Sequence, residues 1–281
     1  MVEASLDELL PGDDEYPRSI HRAVRYSLFA GGKRLRPVLA LAGCEAVGGR
    51  AEEALSTACA FECVHTYSLI HDDLPAIDDD ELRRGKATCH KVFGEATAVL
   101  AGDALLTAAF GLISRTPEVE PERLLRVTKE LSEAAGTLGM IGGQVVDIES
   151  EGREVTFPVL DYIHIHKTGK LILSAIRCGA IIGGADEDEL AALTKFGEAA
   201  GLAFQIADDI LDVEGSSEEI GKTPVADEKR GKATYPALVG LKESKIRADE
   251  LVEMAVASIE GLSPSADPLR EIARYVASRS N

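Results

Sequence analysis

The chain has 281 residues, with 48 acidic against 30 basic side chains and a formal net charge of −18. That balance excludes non-specific nucleic-acid binding and makes each cluster of lysine and arginine a departure that an anionic ligand would explain. The five cysteines form no CxxC pair, and the N-terminus carries no basic-then-apolar leader, so a reduced, cytoplasmic protein is expected.

Residues 1–15 are acidic and without pattern. A helix is predicted over 18–30, ended by Gly31 and Gly32. Gly32, Lys33, Arg34, Arg36 and Pro37 then lead into a second helix over 38–47. Three cations at a helix junction, beside unpaired backbone N–H groups, suit a phosphate. Alone, the same stretch reads more simply as a solvated basic turn.

Residues 51–71 form a long helix that is apolar nearly all round and therefore buried. It delivers five aspartates and a glutamate within ten residues, Asp72 to Glu81, followed by Arg83 and Arg84. Like charges at this density repel unless a cation sits among them, and a hard divalent ion sharing carboxylates with substrate phosphates is the chemical solution. A solvated acidic turn is the plainer reading of one such run. Pro75 should break the helix, so that residues 73–78 bulge and Asp72 and Asp78 face one point. His65, seven residues before Asp72, falls on the same side of the helix.

Further on, 95–114 reads as an Ala/Leu-rich helix with Asp103 unexplained in its middle. No apolar run is expected to be long enough to span a bilayer, and stable membrane insertion is not expected. Pro121 opens a longer helix whose stripe of Leu124, Val127, Leu131, Ala134, Leu138, Ile141, Val145 and Ile148 reads as core. Gln144 and Asp147 lie one turn apart beside it, placed to look into a cavity. A helix over 158–183 carries Lys167 and Thr168. The next, 187–213, places Gln205, Asp209 and Asp212 within about 60° of one another, with Asp208 adjacent. Charged groups on an apolar helix are rarely buried unless paired or metal-bound. A loop over 214–232 holds Lys222 and Lys232, and helices from about 235, 242 and 266 finish the chain.

No stretch alternates with period two and no repeat is present. The expectation is an all-α protein of about ten helices, one bundle around a central active-site cavity. Only a single domain spanning 1–281 brings the two distant aspartate clusters together. Two carboxylate clusters plus cations at 33–36, 83–84, 167, 222 and 232 specify a polyphosphate ligand bound with Mg²⁺. The apolar helices between the clusters specify a large apolar tail. The phosphate-binding loops GxGxxG and GxxxxGK[ST] are both absent.

In sequence order, Gly-Gly-Lys33-Arg34-Leu-Arg36-Pro, Leu-Ile-His-Asp72-Asp73-Leu-Pro-Ala-Ile-Asp78-Asp-Asp-Glu-Leu-Arg83-Arg84-Gly, Gly-Gly-Gln144-Val-Val-Asp147, Lys167-Thr168 and Phe-Gln205-Ile-Ala-Asp208-Asp209-Ile-Leu-Asp212 are followed by Gly-Lys222 and Gly-Lys232. Together they resemble the trans-prenyl diphosphate synthases over nearly the whole chain. The spacing of Asp73 and Asp78 is similar to that of bacterial farnesyl and plant-type geranylgeranyl diphosphate synthases, while the N-terminal region is short for the family. The resemblance implies that Asp72, Asp73, Asp78, Asp208, Asp209 and Asp212 hold three Mg²⁺ on an allylic diphosphate, bound also by Arg83, Lys167, Thr168, Gln205, Lys222 and Lys232. It implies that Gly32, Lys33, Arg36, His65 and Arg84 bind isopentenyl diphosphate, and that Lys167, Thr168 and Gln205 stabilise the allylic cation. It implies a homodimer, and a role for Tyr67 and its neighbour Ser68 as the floor that limits product length, which favours farnesyl over geranylgeranyl diphosphate. A class I terpene cyclase would leave Lys33, Arg36, His65 and Arg84 idle and tends to an aromatic-rich pocket, whereas this chain has no Trp and 5% aromatics. A non-catalytic synthase subunit would have lost aspartates that are present here.

Overall fold

The computed structural model describes residues 1–214 and 234–278. It is built from helices α1 (Val2–Leu9), α2 (Arg18–Leu28), α3 (Leu35–Ala46), α4 (Leu55–Asp72), α5 (Cys89–Phe93), α6 (Glu95–Ser114), α7 (Pro121–Ala135), α8 (Met140–Ser150), α9 (Phe157–Ile163), α10 (Lys170–Gly183), α11 (Glu187–Glu214), α12 (Tyr235–Val239), α13 (Leu241–Ser258) and α14 (Asp267–Ser278). The fold is all-α, and the helices surround a central cavity.

Helix α4 lies at the centre, as its all-round apolar surface requires, packed against α6 on one side and α3 on another. Helix α10 covers α3, α7 and α11 and buries ten of its fourteen residues. The α3–α10 contact is close because glycines meet there. A Cβ built on Gly179 would lie 1.8 Å from the Ala40 carbonyl oxygen, and one on Gly43 would lie 2.4 Å from that of Ile176. Phe61, Leu105, Leu131, Leu171, Ile176 and Phe196 are fully buried in the shared core.

Four features differ from the sequence expectation. The acidic N-terminus forms α1, whose Val2 and Leu6 are buried; Val2, Leu6 and Leu9 keep a helical spacing, but over only two turns, too short a run to mark a helix by itself. A two-residue hairpin pairs Leu82–Arg83 with Lys86–Ala87, turning through Arg84 and Gly85 at φ 54 and 74. Both turn residues in the left-handed region match the twist of a tight hairpin. The expected long helix after Pro121 is broken at Gly136–Gly139, where a Cβ on Gly139 would lie 2.1 Å from the Ala134 oxygen. The apolar stripe therefore divides: Val127, Leu131 and Ala134 are core, Leu138 is 80% exposed, and Ile141, Val145 and Ile148 border the cavity. Finally, α6 is long and apolar enough to cross a membrane, with a mean hydropathy of 1.8. It packs instead on α2, α4, α5 and α7 and buries Ala98, Ala101, Leu105, Ala109, Leu112 and Ile113.

Candidate active site

A cavity of about 1980 Å³ opens between α3, α4, α8, α9 with the turn that follows it, and α11. Its upper wall is the end of α4 and the turn that follows. The Asp73 N–H donates to the Leu69 carbonyl at 3.1 Å and closes the helix. Pro75 has no N–H to continue it. The chain then doubles back: the N–H of Ile77 and of Asp79 donate to the Leu74 carbonyl, and the Asp78 N–H donates to the Asp72 carbonyl at 2.8 Å. This last bond brings Asp78 beside Asp72 across the predicted bulge, and both line the cavity.

The hairpin sends its two arginines to different partners. Arg83 pairs with Asp73 and, at 3.3 Å, with Asp80. Arg84 donates to the Gly31 carbonyl in the glycine turn before α3. A Cβ on Gly32 would overlap the Arg84 guanidinium at 2.6 Å, so the bare glycine is what admits this arginine. Lys33 is exposed, while Arg36 lines the cavity with His65 and Glu62. Arg34 borders the cavity as well, but its side chain is buried and held by Glu3, Glu62 and the Leu28 carbonyl, which leaves Lys33 and Arg36 as the cations of this junction available to an incoming anion.

From the opposite wall α11 presents Gln205, Asp208, Asp209 and Asp212, as the helical spacing predicts. Three groups hold Asp209: the Tyr235 N–H donates to its Oδ2 at 2.8 Å, His164 Nε2 lies 3.4 Å from the same oxygen, and the Gln205 amide donates to Oδ1 at 3.4 Å. Lys167 and Thr168 come from a π-helical turn, His164–Gly169, between α9 and α10. Such turns widen a helix locally and are frequent at functional sites. Lys167 Nζ pairs with Asp147 at 2.7 Å. Gln144, one helical turn before Asp147, is half-buried, and its amide nitrogen and oxygen are both buried without a hydrogen-bond partner. Lys222 and Lys232 lie outside the described residues.

The electrostatics follow from burial. Burial raises the Asp72 carboxyl to about 6, reinforced by Asp78 and Asp73 and opposed by Lys167 and Arg83. Burial likewise raises Asp209 to about 7. Burial works against the Lys167 ammonium, but Asp147, Asp72 and Asp78 outweigh it and hold its pKa above the usual lysine value. On the other side, burial and the charges of Arg36 and Arg84 push His65 well below its usual value, so its imidazole is neutral. Burial lowers Arg36 to about 10, which leaves it cationic at neutral pH.

Among the described residues no three His, Cys, Asp or Glu side chains form a ready-made metal cage. The donor chemistry nonetheless fits Mg²⁺. All the candidate ligands are hard carboxylates, the raised pKa values of Asp72, Asp73 and Asp209 record a cost that a cation would relieve, and Mg²⁺ is usually held by one or two carboxylates together with waters and substrate phosphates.

Below the aspartates the lining turns apolar, with Leu106, Met140, Ile141, Leu160, Ile163 and Phe204. Tyr67, on α4, borders this part. It is 5% exposed, stands edge-on to His71 with ring centroids 5.7 Å apart, and its hydroxyl is buried without a hydrogen-bond partner. Ser68 lines the cavity too, its hydroxyl donating back to the His65 carbonyl. The sequence reading passes over Glu62 and His164. Glu62 had a usable signal, a lone carboxylate in an otherwise apolar buried helix; His164 had none, because the π turn that aims it has no sequence signature.

The polyprenyl synthetase family model matches residues 17–261. The chain is 51% identical over 94% of its length to geranylgeranyl pyrophosphate synthase 7 of Arabidopsis thaliana, covering 78% of that protein. It is 49% identical over 95% of its length to the farnesyl diphosphate synthase of Bacillus subtilis, covering 91% of it. The crystal structure of a geranyltransferase from Helicobacter pylori, complexed with magnesium and isoprenyl diphosphate, superposes with a TM-score of 0.86 at 35% identity, over 99% of this chain and 93% of that one. With its fold, cavity and motifs in agreement, the chain belongs to the polyprenyl synthetase family of prenyl-transferring enzymes.

Proposed function

We propose that the protein condenses isopentenyl diphosphate with an allylic diphosphate, first dimethylallyl and then the geranyl diphosphate so formed, to give farnesyl diphosphate with one pyrophosphate released at each condensation. The observation that carries this reading is the pairing of two differently built polar ends on one cavity. One is rich in carboxylates, from α4 and α11; the other is rich in cations, from the α2–α3 turn and the hairpin. A cyclase needs only the first.

Asp72, Asp73, Asp78, Asp208, Asp209 and Asp212 are the residues that would hold Mg²⁺, three ions by family resemblance. Mg²⁺, when bound, neutralises the diphosphate as it leaves and so favours rupture of the allylic C–O bond. Arg83 and Lys167 add fixed positive charge at the same end, with Lys222 and Lys232 proposed to join them. Such preorganised charge stabilises the developing pyrophosphate without rearrangement during the reaction. Thr168, Gln205 and the Lys167 carbonyl turn their dipoles toward the allylic cation. Gly32, Lys33, Arg36, His65 and Arg84 hold isopentenyl diphosphate with its double bond toward that cation. Neutral His65 serves as a hydrogen-bond partner rather than a charge. Released pyrophosphate is the proposed base for the final proton.

Geranylgeranyl diphosphate is the second reading for the product, because a relative at 51% identity bears that name. Tyr67 favours the shorter product. It lies about 7.5 Å below Asp72 along α4 at 1.5 Å per residue, a depth at which a short prenyl tail meets its ring. The whole chain is taken to act as one soluble catalytic domain in the cytoplasm. A homodimer is proposed, supported by the exposed Val99 and Leu100 on α6.

Substrate-resolved kinetics test the two-ended site. Arg36→Ala should raise the KM for isopentenyl diphosphate more than that for the allylic substrate, and Lys222→Ala should do the reverse. Equal effects of both variants on both substrates would contradict this division.

A further inference from the structure

Arg34 carries a motif's charge but not its exposure. It sits at φ 51 and ψ 37, the left-handed region that a β-carbon resists, immediately before the first turn of α3. Each nitrogen of its guanidinium donates to a different segment of the chain. Nε donates to Glu3 of α1 at 2.7 Å, Nη1 to Glu62 of α4 at 2.5 Å, and Nη2 to the carbonyl of Leu28 at the end of α2 at 2.6 Å. Glu62 is 1% exposed in the middle of an apolar helix. A carboxylate is retained at such a depth only when it is paired, and removing its charge leaves the partner cation buried alone.

What the pair holds is the turn between α2 and α3. Lys33 lies on one side of Arg34 in sequence and Arg36 on the other, and Arg84 donates to the Gly31 carbonyl of that same turn. Glu62 also faces the group from below. Among the charges acting on Arg36 and on Arg84, it is the foremost favouring the cationic form, against burial.

We infer that Arg34 and Glu62, with Glu3 of α1 as an outer partner, form a positioning clamp for the isopentenyl diphosphate end of the cavity: they border it with their charges spent on one another, and fix the backbone turn beside which Lys33, Arg36 and Arg84 gather. The inference rests on the proposed function. Cations gathered around a turn bind a diphosphate tightly only if the turn is ordered beforehand; otherwise binding must supply the ordering entropy. The clamp has no contact with the aspartates of α11, so its loss is felt at one end of the cavity.

Steady-state kinetics on the full-length enzyme test this, with Glu62→Gln, Glu3→Ala and, as a control, Glu130→Gln. Glu130 pairs with Arg177 at 2.7 Å, away from the cavity lining, and its loss reports destabilisation alone. Glu62→Gln is expected to raise the KM for isopentenyl diphosphate about tenfold, with the allylic KM and kcat within about twofold. Glu3→Ala, at an exposed position that does not threaten folding, is expected to raise the same KM about two- to threefold with the same selectivity. Glu130→Gln should lower the thermal midpoint without splitting the two KM values. The clamp is overturned if Glu62→Gln and Glu3→Ala change both KM values equally. It is overturned equally if Glu62→Gln binds isopentenyl diphosphate more tightly, which would make Glu62 an electrostatic counterweight. Should Glu62→Gln not fold, the split in Glu3→Ala decides alone. A wild-type enzyme that does not consume isopentenyl diphosphate would instead remove the underlying functional reading.

Discussion

Asp72 occupies the last turn of α4 with Asp78 folded back beside it by one backbone hydrogen bond. Replacing it with Asn should reduce turnover about 10²–10³-fold, the scale of losing one group that stabilises developing charge. The same replacement should not destabilise the metal-free protein. The folded-state pKa of Asp72 is about 6, raised from an ordinary 3.8, so the folded protein binds this proton more tightly than the unfolded chain. Its contribution is fully present below about pH 4 and is lost as pH rises through about 6. The Asn variant lacks that loss. Its thermal midpoint relative to wild type should therefore climb between pH 4 and pH 6 and level off above; a gap independent of pH would contradict the burial of this carboxyl. Tyr67 supports a second prediction at this scale. Tyr67→Ala should lengthen the product to twenty carbons or more while turnover persists, read by chromatography of the dephosphorylated products. An unchanged product spectrum would remove the ring from the role of floor.

The helices themselves depend on where small residues sit. Gly179 lets α10 touch the backbone of α3, and Gly179→Ala would force a methyl against the Ala40 carbonyl. Overpacking of this kind costs about 1–3 kcal/mol. Denaturant unfolding should show at least that loss, because the contact is with rigid backbone; a neutral outcome would mean that α3 and α10 slide freely. The long, strongly patterned helices were legible in the sequence: α4, α6 and α11 were each expected within a few residues of their observed ends. The failures were local and physical. Gly136 and Gly139 break an otherwise unbroken apolar stripe by backbone geometry, which periodicity does not register. The hairpin at 82–87 is too short to alternate, and the π turn at 164–169 replaces a helix by a helix. Arg34 was legible as a cation but not as a buried one, since its direction depends on a left-handed backbone.

At the scale of the whole molecule, one bundle converts sequence distance into proximity. Carboxylates on α4 and α11, cations before α3 and after α4, and apolar side chains between them border the same cavity. The aspartate runs and the glycine-lysine-arginine turn mark the two polar ends of this cavity in the sequence itself. The supporting groups Glu62, His164 and Tyr235 were not, because single residues in apolar surroundings read as core until their partners are known. The central claim is that both polar ends act in one enzyme without help from another subunit. It is tested most directly by incubating the purified protein alone with labelled isopentenyl diphosphate, dimethylallyl diphosphate and Mg²⁺. The account predicts linear prenyl diphosphates, chiefly of fifteen carbons, with one pyrophosphate released per bond formed and all turnover abolished by a chelator. Consumption of the allylic substrate alone to give a cyclic hydrocarbon, or no turnover until a second subunit is added, would contradict it.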